Sequence, residues 1–171
     1  DLVILYKAHL LNFLEYRTPA IYHATRDVLA RLDAVQSRFL TNAGVSEVDA
    51  LVHFHLAPLP VRRDIAMLGV IHRAVLGRGP AHFQKHFRLA SQSMRKIIEP
   101  RTLLRHPIVK RSVFGLVAVY NLLPPRVVAL NSVHEFKRAL QHMVTEHAKA
   151  GRDDWEDTLN PRIPIARHPL A

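Results

Sequence analysis

The sequence predicts an all-α fold: a helical bundle with a basic loop and an irregular C-terminal tail. Apolar residues recur every three to four positions through most of the chain, which is typical of amphipathic helices. No segment stands out as alternating between apolar and polar residues, as a half-buried strand does. With 49% apolar residues in a chain of 171, there is enough apolar sequence to bury one core.

Two helices are predicted before residue 45. The first covers about Leu2 to Tyr16 and is broken at Thr18-Pro19, because the residue before a proline avoids helical backbone. The second runs from about Thr25 to Asn42, and Gly44 is placed to end it as a C-terminal cap. The predicted apolar face of the second helix consists of Val28, Leu29, Leu32, Val35, Phe39 and Leu40.

Two further helices follow. Ser46 is an N-cap residue for a short helix to about Phe54, whose first turn carries acidic residues that suit the positive end of the helix dipole. Pro60, at a first helical position, begins a longer helix to about Leu76. The predicted apolar stripe of this longer helix consists of Ile65, Leu68, Ile71 and Val75.

The stretch from Ser112 to Leu140 contains two more helical segments. The first ends at Leu123-Pro124-Pro125, since proline lacks an amide donor. Ser132 and Glu135 have the spacing of a capping box at the start of the second. The predicted faces are Phe114, Val117, Ala118 and Leu122 in the first segment, and Val133, Phe136, Leu140, Met143 and Val144 in the second.

The chain divides into a helical domain over residues 1–150 and an irregular tail over residues 151–171. Between Arg88 and Pro107 the helical pattern fades into polar, basic sequence, which predicts a mobile loop. The tail contains three prolines and little periodicity, and Trp155 and Leu159 are the residues expected to anchor it to the domain.

The composition of the chain excludes some kinds of site and of protein. The chain has no cysteine, which excludes disulfides and thiolate metal sites and favours an intracellular protein, nuclear or cytoplasmic. No run approaches the roughly 18 apolar residues of a membrane span, so none is predicted. The start at Asp1 rather than methionine is consistent with a fragment of a longer protein.

The net charge of +10 comes from one segment. Residues 60–111 contain twelve Lys or Arg residues and two acidic ones, whereas the rest of the chain holds twelve of each kind. A cationic segment of this density is the electrostatic pattern of proteins that bind a phosphate backbone.

Catalytic and metal-binding chemistry finds little support. His82 and His86 lie four residues apart, and His53 and His55 two apart, but no third ligand is evident near either pair. The adjacent Asp153-Asp154 pair has no strand pattern around it and is interpreted as the solvated start of the tail. No Gly-x-Ser-x-Gly motif or phosphate-binding glycine loop is present.

An ordered set of motifs resembles a known family. Tyr120-Asn121-Leu122-Leu123-Pro124, followed by Ser132-x-x-x-Phe136-Lys137-x-x-Leu140, is similar to the C-terminal signature of reverse transcriptases from LINE-type (non-LTR) retrotransposons, with Tyr120 in place of the usual tryptophan. Upstream segments resemble the end of the palm and the thumb of the same enzymes. They are Leu5-Tyr6-Lys7, Leu14-Glu15-Tyr16, Pro19-Ala20-Ile21-Tyr22, residues 31–40, and Leu56-Ala57-Pro58-Leu59 with Arg62-Arg63.

The resemblance implies a thumb-like domain in which residues 1–22 form the connection from the palm and residues 60–111 form the basic segment. Such a domain holds an RNA–DNA or RNA template–primer duplex by its phosphate backbone against the palm, which this chain lacks. It implies no enzyme activity and no cofactor for this chain, because the catalytic carboxylates and their Mg²⁺ belong to the palm of an RNA-directed DNA polymerase. The residues expected to bind nucleic acid are Arg62, Arg63, Arg73, Lys96, Arg101, Arg105, Lys110 and Arg111.

Two other interpretations remain open from the sequence. One is a free-standing basic helical adaptor that binds an acidic protein partner or a membrane surface. The other, with much less support, is a histidine-metal enzyme. The apolar first helix, Leu2 to Leu14, is expected to be more exposed than the other helices, because its partner in the family would be the palm.

Overall fold

The computed structural model describes residues 2–90, 96–98 and 106–171, apart from the side chains of Arg88 and Ile98. The described part is mostly helical, which confirms the predicted all-α fold class. The α-helices, in chain order, are α1 (Leu2–Tyr6), α2 (Asn12–Tyr16), α3 (Thr18–Ile21), α4 (Arg26–Ala43), α5 (Glu47–Phe54), α6 (Leu59–Val75), α7 (Ala81–Gln84), α8 (Pro107–Arg111), α9 (Val117–Leu122), α10 (Pro125–Val128) and α11 (Val133–Lys149).

The main core lies where α6 packs on α11. The stripe predicted for α6 is buried at Ile65, Leu68 and Ile71. On α11 the buried residues include Phe136 and Leu140 of the predicted stripe. Full burial of one such side chain contributes about 2 kcal/mol relative to leaving it in water, so this pair of helices fixes the positions of the surface residues they carry.

The first predicted helix contains an irregularity. A π-helical segment, Lys7–Leu11, joins α1 to α2 without interrupting the helix. A π segment inserts one extra residue in a turn and rotates everything after it. The buried positions are therefore Val3, Tyr6 and Leu11, whereas Phe13 is 73% exposed.

The expected exposure of this first helix is observed. Of its large apolar side chains, the six with substantial exposure are Leu2, Ile4, Leu5, Leu10, Phe13 and Tyr16. The segment α2 contains no buried residue at all.

A second, smaller core joins the first helix to α4 and α5. Tyr6 stacks on Phe39 with 4.3 Å between ring centroids. The buried Gln36 on α4 donates to the Ala57 carbonyl at 3.0 Å. The apolar face predicted for α4 is therefore partly wrong: Val28 and Val35 are exposed, and Gln36 takes a buried position because this backbone carbonyl satisfies its amide.

The helix ends agree with the predicted capping residues. Gly44 adopts left-handed backbone with φ 66° after α4. Ser46 Oγ accepts from the Asp49 amide at 3.0 Å, and Ser132 Oγ accepts from the Glu135 amide at 3.4 Å. Each cap of this kind contributes about 1 kcal/mol to helix stability.

In the segment before Pro124, the residues that are buried differ from the predicted apolar face. It begins as a 3-10 helix, Val113–Leu116, and only then continues as α9. Leu116 and Tyr120 are buried, whereas Phe114 is partly exposed. The prediction assumed 3.6 residues per turn throughout, but a 3-10 turn has three, which shifts the buried positions.

Part of the predicted loop forms strands, which the sequence pattern did not indicate. Arg88–Leu89 (β1) pairs antiparallel with Ile97–Ile98 (β2). The side chain of Asn121 on α9 accepts from the Ile97 amide at 2.8 Å and donates to its carbonyl at 3.1 Å. The prediction of a loop is wrong at these four residues, because they form a strand pair, while residues 91–95 and 99–105 lie outside the described part of the chain.

The C-terminal tail packs on the helical domain. It consists of turns and two 3-10 helices, Trp155–Asp157 and Ile165–Arg167. Trp155 and Leu159, the predicted anchors, are both buried in the main core. No helix within the described residues is long and apolar enough to cross a membrane.

Gly115 is expected to tolerate no side chain. A Cβ atom at this position would lie 2.0 Å from the backbone carbonyl oxygen of Lys110, at the end of α8. Backbone cannot rotate away as a side chain can, so Gly115→Ala is expected to reduce the free energy of unfolding by about 2 kcal/mol or more, as measured by urea denaturation. Gly79→Ala is the control, because its Cβ would make only ordinary contacts, and equal losses in the two variants would contradict this account.

Candidate nucleic-acid interface

The two predicted residues Arg62 and Arg63, in the first turns of α6, lie in different environments. Arg63 is 6% exposed, and its guanidinium forms a two-pronged ion pair with Asp33 of α4, with N–O distances of 2.6 and 2.9 Å. Its donors are committed to Asp33 inside the protein. The expectation that Arg63 contacts nucleic acid therefore does not hold in this structure, and the residue instead fastens α6 to α4.

Arg62 faces a surface groove. Its Nε donates to Oε1 of Glu15 on α2, and its side chain remains partly exposed. The same ion pair lies near the Tyr6 hydroxyl, whose pKa is raised to about 12 mainly by burial, with Arg62 lowering it and Glu15 raising it.

The other predicted residues within the described part of the chain lie on α6, on α8 and directly before β2. Arg73 and Lys110 are exposed on α6 and α8. Arg111 donates through Nε to the His23 carbonyl at 3.2 Å. Lys96 is partly buried, and burial lowers the pKa of its ammonium group. Arg101 and Arg105 lie outside the described residues.

The groove that Arg62 faces lies between α2, α6 and α11 and has a volume of about 290 Å³. Three basic or titratable side chains of α11 line it opposite Arg62, namely His134, Lys137 and Arg138. Among the described residues that line it, Glu15 is the one carboxylate. The remaining lining residues are Thr18, Ile65, Ala66 and Gln141.

Lys137 reaches this groove where α11 crosses close to α6 at a glycine. The Lys137 stem runs over Gly69 of α6, so that a Cβ at position 69 would lie 2.5 Å from Lys137 Cε. Phe136 and Leu140 fix the rotation of α11 by facing the core. Lys137 and Arg138 lie outside this core-facing stripe, and both are exposed.

A second groove continues along α11. It has a volume of about 850 Å³, lies between α5 and α11, and shares Arg138 and Gln141 with the first. His55, His142 and Lys149 add three further basic or titratable groups to its lining, and Glu135 is a carboxylate within it. An α-helix of 17 residues spans about 25 Å, so the two grooves form a track along one exposed face, here called the α11 track.

The α11 track offers donors to an anionic ligand. The Nε2 atom of Gln141, a residue that lines both grooves, is buried and has no hydrogen-bond partner among the residues that the structure describes. Unpaired buried donors are uncommon in folded proteins and cost about 1–3 kcal/mol. Arg62, Lys137 and Arg138 supply positive charge to a phosphate that lies in the groove.

Most residues of the motif that resembles retrotransposon enzymes are structural. The imidazole of His72 on α6 is fully buried and stacks on Phe136, with ring centroids 4.0 Å apart. Its Nδ1 lies 2.9 Å from the Tyr120 hydroxyl and its Nε2 lies 2.7 Å from the Leu130 carbonyl oxygen. Tyr120, Leu123, Phe136 and Leu140 are core residues, and Lys137 is the motif residue that faces the groove.

The alternative sites considered from the sequence gain no support from geometry. Asp154 accepts two hydrogen bonds from Arg152, each of 2.9 Å, which lowers the pKa of the Asp154 carboxyl. His86 packs edge-on against Phe114. Within the described residues, no three His, Asp or Glu side chains lie together as metal ligands would.

Two carboxyl groups have strongly raised pKa values away from the track. Asp64 of α6 accepts a 2.5 Å hydrogen bond from the Tyr22 hydroxyl. Burial raises the pKa of Asp64 to about 7, against the lowering effects of the Tyr22 hydrogen bond and of Arg63 and Arg162. Burial, together with the neighbouring Glu47, raises the pKa of Glu156 to about 7.

Comparison with protein-family models, with curated protein sequences and with solved structures finds no match to this chain.

Sequence reasoning missed the α11 residues of the track. Counting charge by segment favoured residues 60–111, because Glu135 and Glu146 offset much of the positive charge of α11. The signal that could have found them is spacing: His134, Lys137, Arg138 and Gln141 recur at three- and four-residue intervals on the polar side of the helix.

Proposed function

We propose that this chain is the thumb and post-thumb part of a non-LTR retrotransposon reverse transcriptase and that it holds a template–primer duplex by its phosphate backbone. Its ligand is an RNA–DNA or RNA duplex, gripped along the α11 track. The chain supplies no catalytic carboxylates. Polymerisation and the Mg²⁺ ions it requires belong to a palm domain outside this sequence.

The observation that carries the proposal is the convergence of Arg62, His134, Lys137 and Arg138 on one groove. Arginine and lysine side chains that face a common groove at the surface attract phosphates, and arginine holds two phosphate oxygens at once through its planar fork. Contacts of this kind position a duplex without reading its sequence. The order of the motifs along the chain supports the parentage, and the net charge of +10 supports the choice of ligand.

The exposed apolar face of the first helix supports a second part of the proposal. Side chains such as Leu5, Phe13 and Tyr16 are exposed beyond what one helix of a soluble domain normally presents. In the proposed function this face packs against the palm. Limited proteolysis of the isolated chain that leaves residues 2–16 as protected as α6 and α11 would count against this assignment.

Salt dependence of duplex binding tests the ligand. If about five phosphates are contacted, the logarithm of affinity should fall with the logarithm of salt concentration at a slope of roughly −4, and it should do so for unrelated sequences alike. A lack of binding to any RNA–DNA duplex at low salt would reject the proposed ligand. Because Arg63 is buried, Arg63→Ala reports on folding and is unsuitable for this test.

The reading frame upstream of the codon for Asp1 tests the parentage. A frame that continues into an aromatic-Ala-Asp-Asp hairpin supports a polymerase thumb. A start codon immediately before Asp1 contradicts the proposed parentage and favours the second candidate.

That second candidate is a free-standing basic helical adaptor for an acidic protein or a membrane surface. The exposed apolar face of the first helix favours it, since such a face suits protein or lipid contact. Duplex binding separates the two candidates: an adaptor is expected to bind its acidic partner or anionic vesicles and to show no duplex affinity that depends on the α11 track.

A further inference from the structure

We infer that the ion pair between Glu15 and Arg62 is a lock on the groove, which a phosphate group of the ligand opens by competing with the Glu15 carboxylate for Arg62. This inference rests on the proposed function, because it concerns the same groove. It adds a residue, Glu15, whose role opposes binding, and it couples the groove to the second half of the first helix.

The first observation is the position of Glu15. It is the one carboxylate among the described residues that line the 290 Å³ groove, and it accepts from Nε of Arg62. The bond occupies one of the two edges through which a guanidinium holds a phosphate. The negative charge of Glu15 also repels any phosphate that approaches Lys137 and Arg138 across the groove.

The second observation is how weakly α2 is otherwise attached. None of its five residues is buried, and Leu14 is its partly buried apolar contact with the smaller core. The preceding helical turns are held more firmly, because Val3, Tyr6 and Leu11 are buried and Lys7 donates to the Phe54 carbonyl at 2.9 Å. The pair between Glu15 and Arg62 is therefore the polar fastening of α2 to α6.

These observations together define two states. In the free protein, Glu15 holds Arg62 and fixes α2 beside the groove. In the bound state, Arg62 contacts the phosphate together with Lys137 and Arg138, and α2 loses its fastening to α6. A segment with few buried contacts opens at low cost, which suits it to such a change.

The test measures binding of a fluorescent RNA–DNA hybrid duplex, by anisotropy at fixed salt, to the full chain and its variants. Glu15→Gln keeps the size of the side chain and removes the competing charge, so it is expected to tighten binding about fivefold, because a larger fraction of Arg62 is free to bind. Asp153→Asn is the control, since it removes one exposed negative charge away from the groove. The lock is overturned if Glu15→Gln weakens duplex binding. It is also overturned if Glu15→Gln tightens binding no more than the control variant does.

A second readout separates the lock from a general effect of charge. Hydrogen exchange of residues 12–16 in the wild-type chain is expected to speed up when the hybrid duplex is added, whereas exchange in α6 and α11 is expected to slow. Unchanged or slower exchange in residues 12–16 overturns the coupling.

A third variant distinguishes failure of the lock from failure of the proposed ligand. Lys137→Gln combined with Arg138→Gln removes the α11 charges and leaves Glu15 in place. If this variant binds more weakly while Glu15→Gln behaves as the control, the ligand stands and the lock is overturned. If neither variant changes binding, the groove is not the binding site, and both proposals are overturned.

Discussion

Replacing His72 by leucine is expected to lower the free energy of unfolding by about 4 kcal/mol, because it leaves the buried Tyr120 hydroxyl and the partly buried Leu130 carbonyl without their His72 partner. The carbonyl of Leu130 can only accept, so Nε2 of His72 carries the proton that it donates across 2.7 Å. Nδ1 is then an acceptor, and the Tyr120 hydroxyl donates to it across 2.9 Å. Leucine can satisfy neither group, and it also loses the stacking on Phe136.

Urea denaturation of a small set of variants checks this expectation. Tyr120→Phe removes one of the two hydrogen bonds while leaving His72 in place, and it should cost about 1–2 kcal/mol. His53→Leu is the matched control, because the His53 side chain is 67% exposed, and it should change stability by less than about 0.5 kcal/mol. Similar losses for His72→Leu and His53→Leu would show that the hydrogen-bonded imidazole does not stabilise the core.

The second large effect expected is a dependence of stability on pH that originates at Asp64. The folded-state pKa of Asp64, about 7, lies above the ordinary value of 3.8, because the partial burial of this half-buried residue removes water from the carboxyl and disfavours its charged form. Folding therefore favours the protonated carboxyl. The stability that this contributes is fully present below the unfolded pKa and is lost as pH rises through about 7.

Asp64→Asn should therefore stabilise the protein relative to wild type at about pH 8 and have much less effect at about pH 5, with a difference on the order of 2 kcal/mol between the two. Tyr22 can still donate to the amide oxygen in this variant, so the hydrogen-bond geometry is kept. Glu156 should leave a residual slope of the same sign, because its pKa is also raised to about 7. Equal effects of Asp64→Asn at both pH values would contradict the buried, protonated carboxyl.

His72 is expected to lower the stability of the folded protein at acidic pH. Burial lowers the pKa of its imidazole, so folding favours the neutral ring. The stability that this contributes is present above the unfolded pKa of 6.5 and is lost as pH falls through the lower, folded value. A rise in pH therefore removes the stability contributed by Asp64 and restores that contributed by His72, and both residues lie on α6.

The features that local chemistry specifies could be read from the sequence. The helices α4, α5, α6 and α11 begin and end close to the predicted residues, because Gly44, Ser46 and Ser132 act on backbone within a few positions of themselves. The main core could be predicted as well, since helical spacing identifies Leu68, Ile71, Phe136 and Leu140 directly.

The features that the sequence did not reveal depend on distant partners. The pair β1 and β2 is held by Asn121, 24 positions beyond Ile97, and no periodicity in two-residue strands indicates such a contact. Arg63 looked like a surface arginine, but Asp33, 30 positions upstream, pairs with it in the interior. The tyrosine at position 120, where the resemblance leads one to expect tryptophan, uses its hydroxyl on His72, 48 positions away.

The sequence predicted a cationic surface that includes Arg62, but it did not predict which helices form the groove around that residue. Charge density predicted a phosphate ligand and Arg62 was among the predicted residues, whereas the groove that Arg62 lines is completed by α11. That helix carries nearly balanced charges in sequence, and only its packing on α6 separates the cationic side chains from the core-facing ones. This packing brings Lys137 and Arg138 into the groove that Arg62 lines.

The central claim, that the α11 track binds the phosphate backbone, is tested most directly by the salt dependence of hybrid-duplex affinity in two double variants. Lys137→Gln with Arg138→Gln removes two charges from the track, and Arg31→Gln with Arg38→Gln removes two exposed charges from α4. The account predicts that the first variant flattens the slope by about two units, one for each lost phosphate contact, and that the second leaves the slope close to that of wild type. Equal changes in both variants, or none in the first, would contradict it.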